Sequence, residues 1–564
     1  MKKDRTISVL LSIFMVLVSN TLRADDVISQ FRILGGELSN SAATSVSDID
    51  EVLPRMKSLG LNTVLVPVYW EFLEPIEGQM DFTLVDRSID VARLQGLKIV
   101  PLWFGAWKNS MSCYTPAWFK RDVKRFPRAV TTEGKPLEIA SCFSDNVLQA
   151  DLKAFSALVQ HIAKKDPQRE VVIMMQIENE IGMLESARDH SLLAEKAYKL
   201  PVPQTLLKAL GIKQQGSWAE VFGTDDYADE RFMAWHYACY VEHLAKAARQ
   251  IHDMPLYVNA AMNSRGRKPG EYPSAGPLAH LADIWKAGAP SIDILAPDIY
   301  DTGFKSWTSQ YAMPLRPQEK QRVGDGTSGI GGKIENRLFI PESRCCENSG
   351  VRALYAFGEH QALGFSPFAI DQASPKETES VTQAYNLLRQ IFSKLYALPS
   401  KLNTWGLLFD QEDRERIIED GGVVMTCRHY FTLPWDSRAT DGSTWPEGGA
   451  MLIRLGKYDY LLAGSGVVVD FKTRAEKNQE QKKQLGEDGF AEAGTQLSTF
   501  NSQLSTGFTG SRLGLLSVDE VTIDHQGQMQ FLRRHNGDQS HQGRHARISV
   551  GDWKILHIQL YEYK

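Results

Sequence analysis

The sequence predicts an α/β chain: a (β/α)8 TIM barrel followed by a smaller all-β, sandwich-like C-terminal domain. Three observations carry this. Apolar strand-like runs alternate with amphipathic helical runs and short turns as far as about residue 398, the pattern of parallel βαβ units. Beyond Pro399 the pattern changes to short alternating runs split by Asp-Gly, Gly-Lys and Asn536-Gly537 turns. The length, 564 residues, exceeds what one core organises. The expected divisions are a leader over 1–24, the barrel over 25–398 and the β domain over 399–564.

The leader has a basic start (Lys2, Lys3, Arg5), a short apolar run from Val9 to Val18 and a cleavage-like Leu22-Arg23-Ala24. It reads as a secretory signal, too short for the roughly 20 residues of a membrane span. Export is expected, with the periplasm as destination. The formal charge of −5 gives no reason to expect nucleic acid or an anionic membrane as partner. Hydrophobic content of 43% and charged content of 23% are those of a soluble globular chain. Six cysteines (113, 142, 239, 345, 346, 427) leave a Cys113–Cys142 bridge conceivable, though spacing sets no connectivity. No CxxC or HExxH pattern is present, so neither zinc nor another metal is expected.

The barrel elements follow in order. A strand at 30–34 runs into Gly35-Gly36-Glu37. Helical spacing of Ile49, Val52, Leu53, Met56 and Leu59 predicts a helix over 47–59, capped by Ser47 and stopped at Gly60. Strands are predicted at 63–68, 97–103, 171–177, 256–259, 292–296, 337–341 and 363–368. Helices are predicted at 84–94, 147–165, 230–252, 278–287, 351–361 and 380–395. Residues 110–146 are expected as a long loop bordering a cleft. In the β domain, runs at 404–409, 422–427, 451–455, 458–469, 512–523, 528–532 and 554–563 read as strands. The charged stretch 472–488 reads as a solvated insertion.

Two buried strands end in a glutamate: Val171–Ile177 delivers Glu178-Asn179-Glu180, and Arg337–Pro341 delivers Glu342. The C-terminal rim of a parallel barrel is where its chemistry sits. Two carboxyls about 5–5.5 Å apart across that rim suit glycoside hydrolysis with retention, one as acid and one as nucleophile. Other strand-end residues are candidates for lining a sugar pocket: Glu71, Trp107, Lys108, Asn109, Glu178, Asn259 and Asp298. For Glu178 a supporting role behind the site is an equal reading. For Glu37 and Asn40, helix capping rivals substrate contact.

Several stretches resemble the β-galactosidases of glycoside hydrolase family 35, in a bacterial branch with its own C-terminal β domain. They are GGELSNS (35–41), YWEFLEPIEGQMDF (69–82), LWFGAWKNSMSCYTPAW (102–118), QIENEIG (176–182), IPESR (340–344) and NGDQSHQGRH (536–545). The Asn-Glu and Trp-x-x-x-Glu-Pro elements are shared with family 42. The resemblance implies Glu180 as acid/base, Glu342 as nucleophile, Asn179 against the sugar 2-hydroxyl and Tyr300 holding the nucleophile. It implies a β-galactoside oligosaccharide or polysaccharide substrate and no cofactor. Two departures stand out. Strand two reads Trp70-Glu71 where the family has Trp-Asn, and strand three reads Ala106-Trp107-Lys108-Asn109 where the family has a Glu-Trp block. They leave open a β-glucosidase or arabinosidase. A carbohydrate-binding protein on a retired barrel is the reading from another class.

Overall fold

The computed structural model describes residues 31–263, 265–300, 302–312, 336–398, 402–483 and 510–564. The leader at 1–24, the junction at 399–401 and the end of the charged stretch, 484–488, lie outside the described residues. Among the described residues no helix is long and apolar enough to cross a membrane.

Eight parallel strands close a barrel in chain order: β1 (Ile33–Glu37), β2 (Thr63–Tyr69), β3 (Lys98–Lys108), β4 (Met175–Asn179), β5 (Leu256–Ala261), β6 (Ile294–Ile299), β7 (Phe339–Ser343) and β8 (Gly364–Pro367). β8 pairs back with β1. The first strand lies three residues later than the sequence suggests, because Gly35 and Gly36 belong inside it. A Cβ on Gly35 would sit 2.2 Å from Ser366 Oγ, and one on Gly36 2.6 Å from Leu61 Cδ2. The Tyr385 hydroxyl, on the last barrel helix (Pro375–Tyr396), sits between the carbonyls of Gly35 (2.8 Å) and Phe365 (2.6 Å) and pins the seam.

Helix Val46–Ser58 is capped by Ser45 rather than Ser47: Ser45 Oγ accepts the Asp48 N–H at 3.1 Å. β3 and β4 both run further toward the rim than predicted. The apolar front of the fourth run, Val171–Met174, is buried but only loosely bonded to β3, through Ile99 N–H to Val171 O at 2.8 Å. The expected long loop after β3 is ordered around a hairpin of Arg128–Val130 and Pro136–Ala140. Buried Asp189 anchors it, accepting Val130 N–H at 3.0 Å and Ser141 Oγ–H at 2.6 Å. All six cysteines are free thiols, so the Cys113–Cys142 bridge is not formed.

The C-terminal strands form two antiparallel sheets, one of six strands and one of four. The run predicted as one strand over 458–469 is two, Asp459–Ser465 in the larger sheet and Val467–Thr473 in the smaller. Gly466 between them has φ +73°, a left-handed corner that lets the chain change sheets. Strands Glu415–Asp420 and Ala546–Ile548 escape the sequence reading; the first is mostly exposed and charged, the second only three residues long. Among the histidines and arginines of 533–545, Arg533 and His535 bond Glu520 and Arg534 bonds Asp519, as a polar hairpin would.

The larger sheet docks on barrel helix Ser349–His360 through backbone. A Cβ on Gly406 would lie 2.3 Å from Tyr355 O, and one on Gly358 2.8 Å from Trp405 O. Glu359 accepts Gly406 N–H (3.1 Å) and pairs with Arg416 (2.7 Å), while Arg352 grips Glu447 through two bonds (2.6 and 2.7 Å). Gly406→Val overpacks this contact. It is expected to cost about 1–3 kcal/mol of stability by urea denaturation, whereas Gly456→Ala, at an ordinary φ with nothing nearer than Asp459 Cβ at 3.4 Å, is expected to cost less.

Candidate active site

Side chains from the C-terminal ends of β1, β3, β4, β5, β6 and β7 converge on one buried cluster. Glu342 and Asp298 are register partners on β7 and β6, and Lys108 and Asn179 on β3 and β4. Glu180, one residue past β4, completes it. One carboxyl oxygen from each of Glu180, Asp298 and Glu342 lies within 4.8 Å of the others.

Glu342 is held from both sides. Its Oε1 accepts Asn179 Nδ2–H at 3.1 Å and Asn259 Nδ2–H at 3.4 Å, and its Oε2 accepts the Tyr300 hydroxyl at 2.6 Å. These three donors fix the orientation of the Glu342 carboxyl. Glu180 is fixed differently. Its backbone is left-handed (φ +45°), its N–H donates to Asn259 Oδ1 at 3.0 Å, and its carboxylate accepts from the Asn109 side-chain amide. Asn259 therefore spans the site, since its Nδ2 also donates to Asp298 Oδ2 at 2.7 Å.

Four carboxyls (Glu37, Glu180, Asp298, Glu342) share this water-poor space with one ammonium, Lys108. They cannot all be ionised. Burial first, and the Glu342 charge second, hold Glu37 and Asp298 well above the usual carboxylate range. The same two causes push Glu180 up to about 7, against the pull of Lys108, Asp298 and Asn109. Burial pulls Lys108 down, yet Glu342, Glu180, Glu37 and Asp298 together carry it above its ordinary value. The Glu180–Asp298–Glu342 group is close enough to clasp a cation, but Lys108 already supplies the positive charge there. A carboxyl poised near neutrality beside a second one fixed by three donors is an arrangement able to serve general-acid and nucleophilic chemistry.

Of the residues singled out in the sequence, the structure brings together Glu180, Glu342, Asn179, Tyr300, Lys108, Asn109, Asn259 and Asp298. Three lie elsewhere. Glu71 is partly exposed and faces Lys120 at 3.6 Å. The Trp107 ring turns outward, packed edge-on against Tyr237 and Tyr240 of helix Asp226–Ile251 at 5.6 and 4.8 Å. Glu178 also turns outward, because side chains alternate along a strand and Asn179 takes the inward position. Within the Trp-x-x-x-Glu-Pro element, Trp70 Nε1–H donates to Glu74 Oε2 at 2.9 Å and Gly78 N–H to Glu74 Oε1 at 2.7 Å, so that element is a buried brace. Glu37, for which capping and substrate contact are rival readings, is buried in the cluster at the end of β1. One residue, Asp151, escapes the sequence reading. The signal for Asp151 was available: it shares the apolar face of Val147, Ala154, Phe155 and Leu158.

Fold and site together define the class of barrel that carries a paired carboxylate at its rim. Residues 42–229 match the family model described as beta-galactosidase, of glycoside hydrolase family 42. Residues 381–547 match a domain of unknown function, DUF5597, beginning inside the last barrel helix. The chain is 24% identical over 284 residues to a beta-galactosidase of Thermus thermophilus and, equally, to beta-galactosidase BgaA of a Thermus species. These matches cover 48% of this chain but only 41% of each relative. The similarity thus points to family 42 beta-galactosidases and does not support the family 35 assignment drawn from the motifs. The elements the two families share do not separate them. Among solved structures, the beta-galactosidase of psychrophilic Marinomonas ef1 (15% identity, 63% of this chain and 59% of that one) superposes with a TM-score of 0.42. The catalytic domain of a Paenibacillus polymyxa beta-amylase (11% identity, 62% and 96%) gives 0.44. Overlays this loose add nothing to the assignment.

Because the Glu342 charge raises Glu180, Glu342→Gln is expected to lower the titration point of Glu180. Carbon-13 NMR of side-chain-labelled glutamate, with Glu180→Gln as the assignment control, reads this directly. An unmoved resonance would mean the two carboxyls are not neighbours in solution.

Proposed function

We propose that this protein is a retaining, exo-acting glycoside hydrolase that removes terminal β-linked galactose from oligosaccharides or polysaccharide side chains. The observation that carries the reading is the closeness of Glu180 and Glu342, which bring one carboxyl oxygen each within 4.8 Å of the other at the barrel rim, as a retaining pair requires. The similarity to family 42 beta-galactosidases supports the glycone. The basic-then-apolar leader supports export, with the periplasm as site of action. Plant cell-wall glycans such as galactosylated xyloglucan fit an exported enzyme with long rim loops.

The chemistry follows from the geometry. The Glu342 carboxylate attacks the anomeric carbon while Glu180, protonated, gives its proton to the departing oxygen. A glycosyl ester on Glu342 results. Glu180, now ionised, takes a proton from water, which attacks the anomeric carbon and frees the sugar with its configuration retained. Asn179 lies between the two and is placed to bond the sugar 2-hydroxyl as positive charge develops. Tyr300 keeps Glu342 oriented through both steps.

A second glycone keeps the mechanism. Lys108, an ammonium buried among the carboxyls, adds a cationic donor to the pocket, so hydrolysis of a β-glucoside or α-L-arabinoside belongs in the same assay. Release of 4-nitrophenol from the β-D-galactoside, beside those two, is the test. The expected result is galactoside activity lost in Glu342→Gln. In Glu180→Ala, kcat should fall by about 10²–10⁴-fold on natural leaving groups, with partial rescue by azide. Release from another sugar alone would move the specificity, and tight sugar binding without release from any would favour a binding protein. Since Glu180 must carry a proton to act as acid, kcat/KM is expected to fall as pH rises through about 7.

A further inference from the structure

Between Trp103, opposite Ile177, and Lys108, opposite Asn179, strand β3 has four residues where β4 has one, Glu178. This bulge carries Lys108 and Asn109 into the barrel mouth. It also breaks the ladder, so its amides need another acceptor. Glu178 provides one. Its backbone is left-handed (φ +56°), its side chain turns outward, and its Oε2 accepts the Trp107 N–H at 2.7 Å. Behind it lies Asp151, on helix Asp145–Lys165, accepting Trp103 Nε1–H and the Tyr240 hydroxyl, each at 2.8 Å. Both acids are fully buried. Burial raises both acids, and the hydrogen bond between them raises Glu178 and lowers Asp151, so Glu178 is the member that carries the shared proton and donates it to Asp151. The space is kept open by Gly105: a Cβ there would lie 2.8 Å from Glu178 Oε1 and 2.2 Å from Trp103 Nε1.

We propose that the Glu178–Asp151 pair positions the acid/base Glu180, by clamping the β3 bulge so that Asn109 is held against the Glu180 carboxyl. The link is short. Past the clamped Trp107, Asn109 N–H donates to Asn179 O and Ser110 N–H to Glu180 O, both at 3.1 Å, and the Asn109 side chain closes on Glu180. Gln at 178 preserves the clamp, because its carbonyl accepts from Trp107 and its NH2 donates to Asp151. Leu at 178 cannot. The proposal rests on the reading of Glu180 as acid/base, and its test uses a measurement that needs no turnover.

The full-length protein is labelled at glutamate carboxyls and Glu180 is titrated by NMR in wild type, Glu178→Gln, Glu178→Leu, Glu178→Asp and Asn109→Ala. Loss of the Asn109 donor removes a bond that favours ionised Glu180. Glu180 is therefore expected to titrate higher in Asn109→Ala and Glu178→Leu, partway in Glu178→Asp, and as wild type in Glu178→Gln. The basic limb of kcat/KM should move up in parallel, with kcat reduced on the order of 100-fold in Glu178→Leu and near wild type in Glu178→Gln. A purely structural role would lower activity without moving the limb. The proposal is overturned if Asn109→Ala leaves Glu180 unmoved, or if Glu178→Gln shifts it as far as Glu178→Asp does. Either reading survives a Glu178→Leu variant that fails to fold. An inactive wild type would sink the hydrolase reading and leave the titration result standing. An active wild type with unmoved Glu180 would sink only the clamp.

Discussion

Everything at the barrel mouth answers to one electrostatic constraint: four buried carboxyls and a single ammonium. In a dry, low-dielectric space, like charges within about 5 Å repel by several kcal/mol. The cluster resolves this by assigning protons unequally. Glu37 and Asp298 keep theirs, Glu342 is surrounded by amide and hydroxyl donors, and Glu180 is left in between. Burial pulls Lys108 down, and its acidic neighbours more than offset that pull. The difference between Glu180 and its neighbours is thus a property of the whole cluster and not of two glutamates.

Holding Glu180 in that intermediate state takes unusual backbone. Asn109, Ser110, Glu178 and Glu180 all have positive φ on facing segments of the β3 and β4 ends, a conformation that costs non-glycine residues on the order of 1–3 kcal/mol each. The compensation is local: four backbone and side-chain bonds tie Asn109 and Ser110 to Asn179 and Glu180. The irregular stretch is short because rigid strands flank it on both sides.

Much of this was legible in the sequence. The barrel was readable because its strands are buried on both faces and appear as unbroken apolar runs. Glu180 and Glu342 stood out because each terminates such a run. What alternation along a strand cannot reveal is a bulge, and three residues inserted into β3 decide which side chains face the mouth. That is why Trp107 and Glu178 looked like pocket residues and face outward instead. Glu71 misled for a related reason, since the chain after β2 turns at once into a short helix, Trp70–Leu73, and carries it toward Lys120. Family assignment failed where the motifs were braces common to several families, as Trp70–Glu74 is.

The backbone contact between Gly358 and Gly406 bears on how little of the chain could work alone. Helix Ser349–His360 begins seven residues after Glu342 and buries nine of its twelve residues, some against the barrel and some against the antiparallel sheet. Cut at the end of the barrel, the chain would leave that second face wet and the support behind the Glu342 strand half missing. The smallest fragment able to hold Glu342 in its present setting therefore extends into strands that add no side chain to the cluster.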